Sequence, residues 1–360
     1  GGMGVITVGL TIIRASGRKI GLWQRSTMQE SISAPQVGGI VKLTGFILKT
    51  SLIIEMIGAA LLAPVFCNDL GIAKGLWYSL FHSISAFCNA GFDLFGIKEP
   101  FSSLTFYHSN IYLNIIIMLL IITGGIGFLV WGDIGTHKHR IRRYSLQSKV
   151  VLMTSAVLIV LPALYFFFFE YDHGTIHDRT IHSLFQSVTT RTAGFNTTDL
   201  AAMDESGTAI MVILMLIGGS PGSTAGGMKT TTFAVLLANT LAVFRRREHP
   251  SFFNRRLSNE VVSQASTILI MYLVLFLTAG LVISRVENLT VLTCLFETAS
   301  AIGTVGLSLG ITPQLSSISH LLLIALMFFG RVGGLTLIFA ALSHVQGNSA
   351  RLPQERITVG

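Results

Sequence analysis

The chain has 360 residues, 51% of them hydrophobic and only 12% charged, with a mean hydropathy of +0.67. An ordinary soluble domain carries about 25% charged residues, so these figures exclude a soluble chain and describe an integral membrane protein. The net charge of +8 does not indicate nucleic-acid binding, because the 25 Lys and Arg stand in short blocks between apolar runs and form no basic face.

A bilayer core of about 30 Å takes roughly 20 apolar residues per helix. The first apolar run, residues 1–13, is too short for that; with no charged leader ahead of it, it reads as the end of a helix that begins outside this chain, and not as a signal peptide. A basic block follows (Arg14, Arg18, Lys19, Arg25), then a predicted span over 39–62, a short apolar stretch over 77–88 and a span over 111–131. The second block (Lys138, Arg140, Arg142, Arg143, Lys149) precedes a span over 150–169, a short stretch over 181–188 and an interrupted span over 209–244. The third (Arg245, Arg246, Arg247, Arg255, Arg256) precedes a span over 267–283, a short stretch over 289–302 and a span over 320–342, ahead of a tail with Arg351 and Arg356. The positive-inside rule puts all four blocks on the cytoplasmic side. Each short stretch then enters and leaves the membrane from the outside. Cys67, Cys88 and Cys294 form no close pair, which excludes a disulfide scaffold and a zinc site and leaves them as apolar fillers.

The regular spacing of the blocks reflects an internal repeat. After the short stretches come Asn89-Ala90-Gly91-Phe92, Thr192-Ala193-Gly194-Phe195 and Thr304-Val305-Gly306-Leu307, with glycines 103 and 112 residues apart. A second glycine motif lies inside each following span: Gly124-Gly125-Ile126-Gly127, the segment 218–227, and Gly330-Arg331-Val332-Gly333-Gly334, with Gly1-Gly2-Met3-Gly4 as a fourth copy. The expected units are 1–38 (the end of repeat 1), 39–145 (repeat 2), 146–260 (repeat 3, with an intramembrane loop over 218–229), 261–345 (repeat 4) and the tail 346–360.

Loops at membrane depth are tolerated only where protein or water satisfies their peptide groups, and a central glycine lets the backbone turn its carbonyls inward. Rings of carbonyls replace a cation's hydration shell, and the carboxyl end of a short helix aimed at them favours a monovalent cation. The segment 218–227 holds five glycines and a proline and cannot remain helical. Lys229 and Arg331 fall near mid-membrane and need freed carbonyls or water. Lys42 and Lys49 can snorkel, whereas Glu55 lies deeper. Glu297, seven residues before Thr304, fits a scaffold role behind the loop better than an ion-ligand role.

Other motifs carry less. For 124–127, close helix packing is the main reading and ion binding the alternative. The segment 222–230 is not a phosphate-binding loop, because Met228 separates glycine from lysine. His173 and His177 have metal-ligand spacing but sit in a polar outer loop, where solvation is the simpler reading. The glycosylation patterns at Asn196 and Asn288 have nothing else to support them.

These motifs, with Asn196 following the second and Gly222-Ser223-Thr224-Ala225-Gly226-Gly227-Met228-Lys229-Thr230, resemble those of the Trk/Ktr/HKT family of potassium transporters. The block Gly17-Arg18-Lys19-Ile20-Gly21-Leu22 and the compact length bring the chain nearest to the Ktr membrane subunits of bacterial sodium-dependent potassium uptake. The resemblance implies an all-α fold of pseudo-fourfold helix-pore-helix repeats around one pore, potassium-channel-like, multi-pass in the cell's inner (plasma) membrane and not an enzyme. It implies K⁺ as the transported ion at the backbone carbonyls of a selectivity filter comprising Asn89, Ala90, Gly91, Phe92, Thr192, Ala193, Gly194, Phe195, Thr304, Val305, Gly306 and Leu307, with Na⁺ as activator and no organic cofactor. It implies a gate of Gly219, Gly222, Ser223, Thr224, Ala225, Gly226, Gly227 and Lys229, latched by Arg331. The implied partners are membrane lipid, a cytoplasmic nucleotide-binding ring of the KtrA type and a second copy of the chain, met through the tail 351–360, and no nucleic acid. The first helix and first filter loop that the family pattern would place ahead of residue 1 are outside this sequence. The competing expectation is an alternating-access cation symporter (K⁺/Na⁺ or K⁺/H⁺), for which inverted repeats would be needed, whereas these repeats run one way.

Overall fold

Within a bilayer the backbone must pair with itself, so apolar runs fold as helices and break where glycine removes the preference for one. The computed structural model describes residues 40–97 and 99–332. The expectations for residues 1–39, for 333–342 with Gly333 and Gly334, and for the tail with Arg351 lie outside the described residues.

α1 (Ile40–Leu70) is a single helix in spite of Pro64. Gly71, with φ +79°, turns the chain directly into α2 (Ile72–Phe87), which runs back along α1. Gly75 lies against the Cys67 backbone with no room for a Cβ, and Ser83 Oγ donates to the Glu55 carbonyl at 2.6 Å. Phe66 of α1 packs against Tyr78, Phe95 and Tyr107, which fastens the outer end of this hairpin. α3 (Ile111–Gly125) starts at an Asn110 cap. It does not continue straight to 131 as predicted: α4 (Phe128–His137) departs at 95°, because Gly127 at φ +93° ends the helix.

The second unit repeats the pattern. α5 (Leu146–Tyr165) runs into a turn of π-helix (Phe166–Glu170), and α6 (Ile176–Thr189) returns along it, with Ser187 Oγ donating to the Ile159 carbonyl at 2.6 Å. Just past the π-turn, burial pushes the Tyr171 phenol up to about 12, so it stays neutral as the hydrogen-bond partner of Thr198. α7 (Glu205–Leu216) and α8 (Thr230–Phe244) flank the broken segment. A hairpin of β1 (Ser251–Phe252) and β2 (Arg255–Arg256) follows, its turn residues Phe253 and Asn254 both left-handed. The third unit is α9 (Asn259–Glu287), α10 (Val291–Gly303) and α11 (Ser317–Val332), with Gly280 of α9 closely packed under Leu295 of α10.

Among the described residues the fold is all-α apart from the two-residue strands. Three described helices are long and apolar enough to cross a membrane, and a fourth crossing follows if α3 and α4 are one bent span. The predicted span over 209–244 becomes two shorter helices on either side of its glycine break. The returning helices α2 and α6 begin five residues earlier than the stretches 77–88 and 181–188, because Lys74 interrupts the apolar run at the start of α2 and the first turn of α6 is polar. In α6 the Thr175 side chain caps Asp178 N at 3.1 Å ahead of the apolar part.

The fully buried Asn114 Nδ2 shares its two N–H groups among the carbonyls of Tyr107 (2.9 Å), His108 (3.0 Å) and Asn110 (2.9 Å). Asn114→Leu keeps the volume and leaves three carbonyls without that donor. The expected loss is about 2 kcal/mol, read as a lower thermal midpoint of the detergent-solubilised protein; an unchanged midpoint contradicts the assigned bonds.

Candidate functional site: three glycine loops above a broken helix

The returning helices α2, α6 and α10 each end in a loop with the same backbone signature. The residue two before the central glycine is left-handed (Asn89 φ +48°, Thr192 +65°, Thr304 +53°), and so is the glycine (Gly91 +70°, Gly194 +83°, Gly306 +93°). Threonine rarely adopts this conformation, and it holds only where the surroundings enforce it. Alternating handedness lets successive carbonyls leave one side of the chain, which a uniform strand or helix cannot do.

Hydroxyls on the helices hold each loop. Ser85 Oγ donates to the Phe92 carbonyl at 2.7 Å, Thr189 Oγ1 to the Phe195 carbonyl at 2.6 Å, and Ser300 Oγ accepts from Gly306 N at 3.1 Å. Backbone amides close the same turns: Ala90 N on the Ser85 carbonyl at 2.9 Å, Ala193 N on Thr189 at 3.0 Å and Val305 N on Ser300 at 2.8 Å. The loops also touch one another. A Cβ on Gly91 would overlap the Ala193 carbonyl oxygen, and one on Gly194 would overlap that of Val305, while the same position on Gly306 meets nothing within 4 Å. Gly91, Gly194 and Gly306 together line an outer cavity of about 370 Å³, which Asp93 and His320 also border.

Among the predicted loop residues, Ala193, Phe195, Val305 and Leu307 are buried, whereas the Phe92 ring is 70% exposed and only its backbone joins the arrangement. The Asn89 amide, in the orientation that turns its NH2 toward the carbonyls of Ala86 (3.1 Å) and Ile121 (3.2 Å), donates to both and braces its loop from behind. Glu297 does the same in the third unit: its carboxylate accepts from Ser308 Oγ (2.7 Å), Leu309 N (3.0 Å) and Thr312 Oγ1 (2.7 Å). These bonds make it a scaffold.

The segment between α7 and α8 lies beneath the loops, bound on both sides. Toward the first unit, Ser220 N donates to the Gly125 carbonyl (3.0 Å), Thr224 N to Gly124 (3.2 Å) and Thr224 Oγ1 to Phe87 (2.9 Å), and Phe128 N donates to the Gly222 carbonyl (2.7 Å). Toward the third, Gly227 N reaches the Gly330 carbonyl (3.3 Å), and Gly226 sits so close under the Thr304 side chain that a Cβ would overlap it. Inside the segment Gly219 N meets the Gly226 carbonyl (3.3 Å), and Ser223 Oγ donates to Ser220 (2.6 Å) and accepts from Ala225 N (3.3 Å). Lys229 Nζ donates to the carbonyls of Ala225 (2.9 Å) and Gly226 (3.5 Å), and Arg331 Nη1 to that of Thr224 (2.9 Å). Arg331 therefore reaches the segment at the Thr224 carbonyl, and Lys229 reaches it at those of Ala225 and Gly226.

The glycines at 124–127 combine two roles. Gly124 packs on the Phe87 carbonyl with no room for a Cβ, as the packing reading requires, and the break after Gly125 offers the carbonyls that the segment occupies. Sequence reasoning overlooked Ser85, Thr189 and Ser300, whose signal is a hydroxyl five or six residues before each central glycine. It also overlooked Arg191, which adjoins Thr192, is buried, and directs both of its hydrogen bonds to Ser155 at 3.3 and 3.4 Å.

Residues 1–352 match the family described as "TrkH: Cation transport protein". Potassium/sodium uptake protein NtpJ of Enterococcus hirae is 38% identical across the whole chain and 81% of its own length, and Ktr system potassium uptake protein B of Bacillus subtilis is 36% identical with the same coverage. The crystal structure of the potassium transporter TrkH from Vibrio parahaemolyticus superposes with a TM-score of 0.72 over 94% of this chain and 69% of that one, at 18% identity, a likeness of fold.

Glu297→Ala removes the acceptor shared by three donors behind the third loop, so amide exchange over 304–310 should quicken and the thermal midpoint should fall, with Glu297→Gln intermediate because it keeps one acceptor. Equal protection in all three proteins would remove the scaffold role.

Proposed function

The chain belongs to the TrkH family of cation transport proteins, and from that premise we propose that it takes up potassium through a selectivity filter formed by the three glycine loops. The printed names of two relatives, a potassium/sodium and a potassium uptake protein, support that substrate. The observation that carries the reading is the recurrence of one left-handed, glycine-centred backbone three times around one outer cavity. The helices α2, α6 and α10 point their carboxyl ends at these loops, and that partial negative charge suits a monovalent cation with no carboxylate ligand. The carbonyls of residues 89–92, 192–195 and 304–307 would replace the hydration shell of K⁺, and the smaller Na⁺ would act as activator. The units 39–145, 146–260 and 261–345 are then three filter-bearing repeats.

The segment beneath the filter is the gate in this reading. It blocks the path while its bonds to Gly124, Gly125, Lys229 and Arg331 persist, and because α8 starts at its end, a cytoplasmic partner that moves α8 would withdraw it. A nucleotide-binding ring against the basic cytoplasmic loops, in a homodimeric assembly, fits this arrangement.

Two experiments test these roles. Gly91→Ser and Gly194→Ser add both left-handed strain and overlap with the neighbouring loop, whereas Gly306→Ser adds strain alone. The K⁺/Na⁺ flux ratio of the membrane-inserted protein should fall in all three and least in Gly306→Ser; an unchanged ratio in all three contradicts the filter. Arg331→Ala removes the charged bond to the Thr224 carbonyl, worth about 1.5–3 kcal/mol, and deleting 220–225 removes the segment's middle. Both should raise K⁺ flux without the partner, by about tenfold for Arg331→Ala, at unaltered selectivity. Loss of transport in inserted, well-folded variants would make the break structural only.

A further inference from the structure

A groove of about 320 Å³ opens on the membrane-facing side between α5 and α8, toward their cytoplasmic ends. Its floor is an alanine stripe on α8, Ala234, Ala238 and Ala242, four residues apart and buried, with Leu237 and Leu241 exposed beside it. A stripe of this kind leaves a trough one hydrocarbon chain wide, because residues four apart lie on one face of the helix, each about 40° on from the last. At the cytoplasmic mouth stand Arg245 and Arg247, both exposed. They reach that mouth because α8 ends in a tight turn: Arg246 adopts φ +50°, and Arg247 N closes on the Ala242 carbonyl at 2.8 Å. No carboxylate lines the groove, so its apolar body and cationic rim have no counter-charge within the site.

We propose that this groove binds an anionic phospholipid of the cytoplasmic leaflet, with one acyl chain on the alanine stripe and the phosphate between Arg245 and Arg247. Charge complementarity decides the occupant. An apolar face of another protein would need no cations at the mouth, and a zwitterionic headgroup would bring its ammonium beside two guanidinium groups. The anionic leaflet concentrates such lipids where the positive-inside rule places these residues. The site borders α8 along its length, so its occupant braces the helix that leads out of the broken segment. The binding claim is independent of the transport reading.

The test uses the intact protein in nanodiscs of phosphatidylcholine, with or without phosphatidylglycerol, and counts retained lipid by native mass spectrometry. The wild type should keep phosphatidylglycerol in preference to phosphatidylcholine. Arg245→Gln with Arg247→Gln should lower that retention at least tenfold, to the phosphatidylcholine level, and Ala238→Leu, which fills the trough, should lower retention of both lipids. Arg255→Gln with Arg256→Gln, on the hairpin strand paired with the groove-lining Ser251 and Phe252 but outside the lining itself, should change nothing. Four results would overturn the site. They are retention unaffected by the Arg245 and Arg247 changes; an equal loss from the hairpin pair, which means a diffuse basic surface; competition by soluble glycerol phosphate with Ala238→Leu inert, which means an anion site without a chain; and Leu237→Cys cross-linking two copies across the groove, which means a protein interface.

Discussion

A peptide group in the middle of a bilayer cannot be left without a partner, because each unpaired group costs several kcal/mol. This constraint explains how the chain sustains two helix breaks at once. The end of α3 at Gly125 frees the carbonyls of Gly124 and Gly125 and the amide of Phe128, and the segment between α7 and α8 supplies Ser220 N, Thr224 N and the Gly222 carbonyl to meet them. Each break satisfies the other. Two cationic side chains, Lys229 and Arg331, take up further carbonyls of the segment, and in the same contacts their own charges gain partners at membrane depth.

The three loops depend on a related economy of geometry. Every returning helix packs antiparallel on the span before it, so its carboxyl end arrives at mid-depth, where a left-handed residue and a glycine reverse the chain. The hydroxyls of Ser85, Thr189 and Ser300 fasten what the helices cannot, and Asn89 and Glu297 do so from further back. Support from the helix side leaves the inward face of each loop to its backbone, which is what the proposed cation path needs.

Much of this was legible in the sequence, and the exceptions have physical causes. Hydropathy located the spans, because burial in lipid is what it measures, and the glycines at 91, 194 and 306 announced the loops because no other residue turns a backbone there at so little cost. Hydropathy missed the polar first turn of α6, where the Thr175 cap makes the helix, and the first turn of α2, where Lys74 interrupts the apolar run. It also could not tell a packing glycine from a hinge: Gly124 and Gly127 lie three residues apart in one motif, and only the left-handed φ of Gly127 separates their roles. Phe92 stands where Phe195 stands in the repeat and yet is exposed, which no repeat alignment reveals. Arg191 escaped notice because a cation beside a polar motif looks solvated until the fold buries it.

The central claim is that backbone oxygens of the three loops, and no carboxylate, meet the ion. Anomalous diffraction from crystals of the intact protein grown in rubidium tests it most directly. The account predicts a peak on the axis of the loops, bounded by the carbonyls of Ala90, Ala193 and Val305. A peak held instead by Asp93 or Glu297, with none among those carbonyls, would contradict it.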